Sequence, residues 1–339
     1  MSEQIYKDSE NREYVAIPVS QFKSGKVLCA DIFLQINDKF IKFKNEGDEL
    51  EAEKIDYFLE KNVKNVFLLK DELAKVISWL KTIRNEVIEE TVAEVGEEYK
   101  ETVEKVENLR EKVLDTFVDL ELDSGVVDLL QDEVSSFVEH IQAEKIPNSI
   151  IARLTKYSEG MADHAINVAN VSLYISLLLG HGDGEVLSKL YMGALLHDYG
   201  KLKIPKEVLE NKQNLKYNQA IQDHPKRGAS VASKIPNLDP DVIKIIEQHH
   251  EQFNGNGFPE GLKNHAIFGL AKIVQVANIF DNAVVENSYK PKKEKFRAAL
   301  KVLDYDNGKQ FDPEMIKKIS EGMWLAYGHM YKPPSKDKA

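Results

Sequence analysis

Seven residues of the chain have side chains that bind metals and stand where apolar helices are predicted to end or to cross the interior. They are His164, His197, Asp198, His224, His249, His250 and Asp281. A buried carboxylate or a group of buried imidazoles is costly unless the groups pair or bind a cation. Pointed inward together, they would offer mixed nitrogen and oxygen ligands, which suit iron, manganese or zinc better than calcium or magnesium. Seven ligands exceed the needs of one metal, so the set favours two metal ions that share a bridging carboxylate.

The other four histidines do not belong to this set of potential metal ligands. His140, His181, His265 and His329 have no acidic or histidine cluster in the surrounding sequence, and we expect them to be structural or solvated. The pair His249 and His250 is different again, because it runs into the constrained loop of HHEQFNGNGFPEGL (249–262). The glycines of this loop would let the backbone approach a ligand or a partner closely, although a plain turn between two helices is the alternative.

Helices must position these side chains. The segments MADHAINVANVSLYISLLLG, GEVLSKLYMGALLHDYG and AIFGLAKIVQVANIFDNAVV are apolar on a helical period, and PDVIKIIEQHH begins with proline, a favoured first helical residue. His224 precedes Pro225, which suggests a helix start there. We therefore predict an all-helical domain over 121–335, with the seven residues facing inward.

The N-terminal part has a different pattern. Residues 1–12 are polar and predict a flexible tail, and 13–80 predict a small α/β regulatory or docking domain with strands at YVAIPV, VLCADIFLQI, KFIKF and VKNVFLL. Asn37-Asp38 suggests a hairpin turn, and EAEKIDYFLEKN suggests a helix. Residues 81–120 are rich in Glu and Lys with apolar residues three or four apart, which predicts one long linker helix that either packs on its own chain or forms a homodimer seam. The predicted fold class is therefore mainly α, with a small N-terminal α/β domain.

Composition narrows the function classes. The chain has 339 residues and a net charge of -11, which argues against a general nucleic-acid or membrane-surface binder. Its single cysteine, Cys29, excludes an intrachain disulfide and suits a reducing cytoplasm. No apolar run reaches the roughly 18 residues that span a bilayer, so we expect a cytoplasmic protein.

The motifs resemble those of the HD-GYP family, bacterial members of the HD metal-dependent phosphohydrolases. The resemblance rests on HDYGK (197–201), His224, HHE (249–251), GNGFP (255–259) and Asp281, in the family's order and spacing over about 150–320. It implies a helical domain with a metal centre, often of iron, that hydrolyses cyclic di-GMP. By motif position, Asp198 would bridge the metals, and Lys201 would contact the scissile phosphate or the attacking hydroxide.

The resemblance also implies substrate contacts and a partner. Gly257, Phe258 and Pro259 would line the site, Lys290 would contact the nucleotide, and the glycine-rich loop would be a contact surface for a diguanylate cyclase domain. Phe258 stands where the family has tyrosine, so a hydroxyl is missing. Asn287 stands where an arginine is frequent, and asparagine cannot replace the bidentate fork of arginine. Gly160 stands where members with three metals carry an acidic residue, so we predict two metals.

Two functions follow. The first is a phosphodiesterase that hydrolyses cyclic di-GMP or a related nucleotide through a binuclear, metal-activated hydroxide. The alternative is a catalytically weak or inactive module that binds nucleotide or a signalling partner, which Phe258 and Asn287 favour.

Overall fold

The computed structural model describes residues 5–22, 25–37, 39–51, 63, 65–119, 122–155, 161–209, 213 and 215–328. The chain divides into two compact units, Met1–Lys100 with Leu114–Asp119, and Glu101–Val113 with Leu120–Ala339. The first unit contains the strands, and the second consists of helices. The predicted fold class, mainly α with a small N-terminal sheet region and a helical bundle that follows it, is confirmed.

The first unit is built on an antiparallel sheet. Its strands are β1 (Ile5–Lys7), β2 (Glu13–Pro18), β3 (Lys26–Val27), β4 (Ile32–Ile36), β5 (Lys39–Lys44), β6 (Glu49–Leu50) and β7 (Asn65–Leu69). Five form a sheet in the order β1-β2-β7-β4-β5, and β3 pairs with β6. The β4–β5 hairpin pairs Ile36 with Lys39, and Asp38 of the predicted Asn37-Asp38 turn lies outside the described residues. The helix predicted at EAEKIDYFLEKN lies almost wholly outside the described residues.

Both faces of this sheet are apolar, because alternate residues of a strand point to opposite sides. Ile17, Val66 and Leu68 belong to the larger core cluster. Tyr14 and Phe67 belong to an aromatic cluster, in which the Tyr14 and Phe40 rings stack with centroids 4.0 Å apart.

Two N-terminal predictions were wrong. Residues 5–7 of the predicted flexible tail form β1, where Ile5 pairs with Val15 and the Tyr6 ring lies 5.2 Å from that of Phe67. The polar composition hid this strand, since only the apolar side chains of Ile5 and Tyr6 mark it. The predicted single linker helix is two helices, α1 (Leu73–Val95) and α2 (Lys100–Asp119). They separate at Gly96, whose φ of 121° is incompatible with a continuous helix.

The second unit contains residues Glu101–Val113 of α2 and ten further α-helices within its described part. These are α3 (Ser124–Ala143), α4 (Asn148–Ile151), α5 (Met161–Leu178), α6 (Gly184–Leu196), α7 (Lys206–Leu209), α8 (Tyr217–Ala232), α9 (Pro240–Gln248), α10 (Gly269–Glu286), α11 (Lys292–Tyr305) and α12 (Pro313–Met323). Among the described residues, no helix is long and apolar enough to cross a membrane.

Helices α5 and α10 form the centre of this unit. Nearly every residue of α5 from Ala162 to Ser176 is buried, and α10 is buried along most of its length. A helix that is apolar all round must lie inside the protein. Polar side chains on these two helices are therefore held in an apolar interior, where each of them needs a partner.

Candidate metal centre

Two helices end at the site. Helix α6 ends at Leu196, so His197 and Asp198 occupy the turn into a short 3₁₀ helix, Tyr199–Lys203. Helix α9 ends at Gln248, and His249 and His250 follow directly. The last side chains of these apolar helices consequently point into the interior: His197 and His249 are completely buried.

His224 lies inside helix α8, so the predicted helix start at this position was wrong. Pro225 is within the helix and lacks the N–H that would bond the carbonyl of Ile221, four residues earlier. The Nδ1 atom of His224 donates to that same carbonyl at 2.6 Å. The imidazole thus satisfies the group that the proline leaves open, which explains how a His-Pro pair fits within a helix.

Three imidazoles share one orientation. The Nδ1 atom of each donates to the backbone carbonyl three residues before it: His197 to Ala194 at 2.7 Å, His224 to Ile221 at 2.6 Å and His249 to Ile246 at 2.7 Å. A carbonyl only accepts, so Nδ1 carries the hydrogen, and Nε2 of the neutral ring holds a lone pair. This is the arrangement that prepares a histidine to bind a metal through Nε2.

The Nε2 lone pairs of His224 and His249 face each other next to Oδ1 of Asp198. The Nε2 atoms of His224 and His249 are 3.2 Å apart, and Asp198 Oδ1 lies 3.1 Å from the first and 3.8 Å from the second. Asp198 Oδ1 and His250 Nε2 are buried without a hydrogen-bond partner. The four residues place their ligand atoms within 4.8 Å of one another. A cation among them would satisfy all these acceptors at once.

A second group lies on the other side of Asp198. His164, His197 and Asp198 also place ligand atoms within 4.8 Å of one another, with the two Nε2 atoms 3.3 Å apart. Asp198 Oδ2 is 3.6 Å from His164 Nε2 and 3.5 Å from His197 Nε2. Asp198 is thus common to both groups, which is the position that the bridging role requires.

Asp281 orients His164 from helix α10. Its Oδ2 accepts from His164 Nδ1 at 2.6 Å, and its Oδ1 accepts from Asn167 Nδ2 at 2.9 Å. Asn167 is one turn after His164 on α5, so both partners lie on one face of that helix. The structure therefore brings Asp281, itself a predicted ligand, to the site through His164, and among the described residues Asp281 belongs to neither of the two groups above.

Burial and charge set the protonation of the group. Burial lowers the pKa of His197 to about 3 and holds the pKa values of His249 and His250 well below the usual value, so these rings are neutral. Burial opposes a charge on His164 too, but hydrogen bonds to Asp198 and Asp281 outweigh it and raise its pKa to about 9. A cation that binds His164 would therefore displace a proton.

Asp198 carries a negative charge within this group. Burial would raise its pKa, but the nearby charge of Lys201 and the contacts with the histidines lower it well below the usual value. Lys201 Nζ lies 2.6 Å from Asp198 Oδ2. The lysine predicted to contact phosphate thus stands at the edge of the cluster, three residues along the 3₁₀ turn.

The glycine-rich loop packs against His250. The Phe258 ring stacks on the His250 ring with centroids 4.6 Å apart and an interplanar angle of 20°. Phe258 N–H donates to the carbonyl of His250 at 3.2 Å, and Pro259 follows. A Cβ atom at Gly257 would lie 2.3 Å from the backbone nitrogen of Gln252 and 2.4 Å from the His250 carbonyl oxygen, so only glycine fits there.

Lys290 was predicted to contact the nucleotide, but its described contacts are with residues after the end of helix α10 and not with the histidine cluster. Its Nζ donates to Asn287 Oδ1 at 2.6 Å and stands 5.3 Å from the centroid of the Tyr289 ring. Asn287 in turn donates to the carbonyl of Ala283 at 2.7 Å. In the described part of the chain, these contacts close the end of helix α10 rather than join the histidines.

The donor set fits a transition metal. The acceptors are imidazole nitrogens and carboxylate oxygens in a buried space, with Nδ1 atoms already bonded and two further acceptors unsatisfied. Gly160, from which two metals rather than three were predicted, lies outside the described residues.

Sequence reasoning missed the residues that support the predicted ligands. Asn167 holds Asp281, and the carboxylate of Glu251 holds the loop through the N–H groups of Glu260 and Leu262. The sequence signal for Asn167 is that it is a polar residue in an otherwise apolar helix, three residues after His164. Glu251 also carries a signal, because it is a carboxylate directly after His249 and His250, but its position in the sequence does not show which N–H groups it binds.

Comparisons with known proteins agree with this geometry. Residues 127–315 match the HD domain family, which is more than half of the chain. The chain therefore belongs to the HD domain family. The resemblance to the HD-GYP members of the HD phosphohydrolases, inferred above from the sequence motifs, is confirmed.

Individual relatives carry related names. The chain is 32% identical over 200 residues to the cyclic di-GMP phosphodiesterase response regulator RpfG of Xanthomonas campestris, an alignment that covers 57% of this chain and 52% of RpfG. It is 27% identical over 163 residues to the 3'3'-cGAMP-specific phosphodiesterase 2 of Vibrio cholerae, with 46% and 30% covered. The chain thus spans about half the length, or less, of these relatives.

A solved structure shares the fold. Bd1817, an HDG"Y"P protein from Bdellovibrio bacteriovorus, superposes with a TM-score of 0.62 at 24% identity, covering 91% of this chain and 99% of that one.

Proposed function

We propose that this protein is a metal-dependent phosphodiesterase that hydrolyses cyclic di-GMP. The observation that carries the proposal is the buried group of imidazoles around Asp198, in which Asp198 Oδ1 and His250 Nε2 have no hydrogen-bond partner. The names of the relatives support the substrate class, a cyclic dinucleotide. Two divalent ions, iron or manganese, would be held by His164, His197, Asp198, His224, His249, His250 and Asp281, with Asp198 common to both.

The chemistry supplied by two such ions would be positive charge for the phosphate oxygens and a lowered pKa of a water molecule, which gives a nucleophile at neutral pH. The chain provides the rest of the chemistry. Asp198 bridges the two ligand groups and stays ionised, because Lys201 and the histidines keep its pKa low. Lys201 places a positive charge beside Asp198 Oδ2, where it would stabilise the negative charge that grows on the phosphate in the transition state.

The surrounding residues keep the ligand set rigid. Backbone carbonyls hold His197, His224 and His249 through Nδ1, so that each Nε2 points into the site without further ordering. Phe258 stacks on one face of the His250 ring and helps to fix its orientation. Such preorganisation lowers the reorganisation that the reaction would otherwise require.

A second function is favoured by two residues. Phe258 offers no hydroxyl, and both polar atoms of the Asn287 amide bond within its own segment, to Ala283 and Lys290. The alternative is a module with slow turnover that binds cyclic dinucleotide, or a diguanylate cyclase domain through the glycine-rich loop. Such a module would keep the metal ligands but lack the substrate contacts of a tyrosine at position 258 and an arginine at position 287.

One experiment separates the two functions. The full chain is purified, its metal content is measured by elemental analysis, and iron- and manganese-loaded samples are incubated with cyclic di-GMP and, separately, with 3'3'-cGAMP. Linear dinucleotide or mononucleotide formed by the wild type, and absent with Asp198→Ala, supports the enzyme. Nucleotide binding by the wild type without any product at high protein concentration would reject hydrolysis and leave the binding module.

A further inference from the structure

Glu251 is a buried carboxylate with two backbone partners in the glycine-rich loop. Its side chain follows His249 and His250 directly and is completely buried. Oε1 accepts from the N–H of Glu260 at 2.7 Å, and Oε2 accepts from the N–H of Leu262 at 2.8 Å. Through these two hydrogen bonds the residue connects the far arm of the loop, which follows Phe258 and Pro259, to the end of helix α9.

The near arm of the loop is anchored separately. Phe253 N–H donates to the carbonyl of Gln310 and Asn254 N–H to that of Lys309, both at 2.9 Å. The side chain of Gln275 on α10 donates to the Glu251 carbonyl, which fixes the backbone from which the carboxylate extends. The near arm therefore has contacts of its own, and the Asn264 N–H joins the two arms beyond Leu262 by donating to the Phe253 carbonyl at 3.1 Å. The carboxylate of Glu251 holds the stretch between them that follows Phe258 and Pro259.

We infer that Glu251 is a positioning residue that keeps the glycine-rich loop closed against His250. The carboxylate accepts hydrogen bonds from residues 260 and 262, and together with the hydrogen bond from the Phe258 N–H to the His250 carbonyl this keeps Phe258 stacked on the His250 ring. Glu251 belongs to neither group of potential ligands among the described residues, so its role differs from theirs. Its effect on substrate rests on the proposed function, whereas its effect on the loop does not.

The substitution Glu251→Gln tests the inference at nearly constant volume. An amide keeps one acceptor and places an NH₂ donor against the second backbone N–H, so at least one partly buried N–H loses its partner. Glu260→Gln is the matched control. It removes a carboxylate from the same loop, but that carboxylate is exposed and pairs with Lys226 at 3.1 Å.

Hydrogen–deuterium exchange of the Glu260 and Leu262 amides is measured in both variants of the full chain, together with metal content. We expect exchange at these amides to accelerate roughly tenfold or more in Glu251→Gln, with little change in Glu260→Gln and equal metal content in both. Unchanged exchange in Glu251→Gln, or equal acceleration in the two variants, would overturn the inference. If Glu251→Gln does not fold, Glu251→Asp, which keeps the charge on a shorter stem, is measured against the same control and criteria.

Kinetics distinguish positioning from a general structural role. A looser loop should raise KM for cyclic di-GMP roughly tenfold while kcat falls less, whereas partial loss of folded, loaded enzyme would lower kcat and leave KM unchanged. The second pattern would overturn the positioning role even if exchange is faster. A wild type without turnover rejects the proposed function alone. In that case the exchange data and the Kd for the nucleotide decide the role of Glu251.

Discussion

Two buried polar clusters of the helical unit lie side by side on helix α5 and differ in whether they are complete. Arg110 is buried, donates from Nε to Glu107 Oε1 at 3.2 Å and pairs with Asp163 at the start of α5. The next residue, His164, belongs to the cluster around Asp198. In the first cluster a cation of the protein meets its carboxylates. In the second, Lys201 reaches only Oδ2 of Asp198, while on the Oδ1 side the Nε2 lone pairs of His224 and His249 face each other.

The difference shows what each cluster requires from outside. The Arg110 cluster contains donor and acceptors of opposite charge and is stabilised by the protein alone. The histidine cluster contains an excess of acceptors, so a bound cation would complete it. Removing a member should therefore affect stability in the first cluster and metal binding in the second, and the predictions below test this contrast.

The largest effect is expected for Asp198→Ala, because this residue is common to both ligand groups. Turnover should fall at least about 10⁴-fold, the scale found when one member of a catalytic unit is removed. Metal content should fall with it, as measured by elemental analysis of the purified variant. Asp163→Ala, which removes the neighbouring carboxylate of the other cluster, is the control and should keep its metal. Full metal content in Asp198→Ala would contradict the ligand assignment.

Arg110→Met breaks the complete cluster. It removes the guanidinium that pairs with the buried Glu107, and losing one member of a buried pair typically costs about 3–5 kcal/mol. The free energy of unfolding, measured with urea on metal-free protein, should fall by this amount. Folded Arg110→Met should still bind metal. A loss below about 1 kcal/mol would show that the cluster is not stabilised as the geometry indicates.

Metal removal should destabilise the proteins whose histidine cluster is intact and leave Asp198→Ala unaffected. Metal at 100 times its Kd stabilises the folded state by about 2.7 kcal/mol, so a chelator should lower the Tm of the wild type and of Arg110→Met alike. The Tm of Asp198→Ala should not respond. Thermal unfolding with and without chelator measures this, and an equal response in all three proteins would mean that the metal binds elsewhere.

The sequence predicted the helices that carry the two clusters well, but it predicted poorly the hydrogen bonds that hold the site residues in place. Apolar periodicity marks α5, α6 and α10 because helices buried on every side must be apolar throughout. It gives no sign that Asn167 bonds Asp281 or that the N–H groups of residues 260 and 262 reach Glu251, because such contacts depend on tertiary packing. Pro225 misled for a local reason: its helix-breaking tendency is offset by the His224 side chain.

The smallest expected effect concerns the ring that covers the histidine cluster. Phe258→Tyr restores the hydroxyl that the resemblance leads one to expect, while the ring can keep its stacking on His250. One added hydrogen bond to substrate is worth about 1 kcal/mol, so kcat/KM for cyclic di-GMP should rise about fivefold. Phe253→Tyr adds the same group to a ring of the same loop that stands 5.9 Å from Lys272 Nζ, and it should leave kcat/KM unchanged. If both variants behave alike, the hydroxyl at position 258 does not reach the substrate, and the aromatic ring at this position serves the packing of His250 alone.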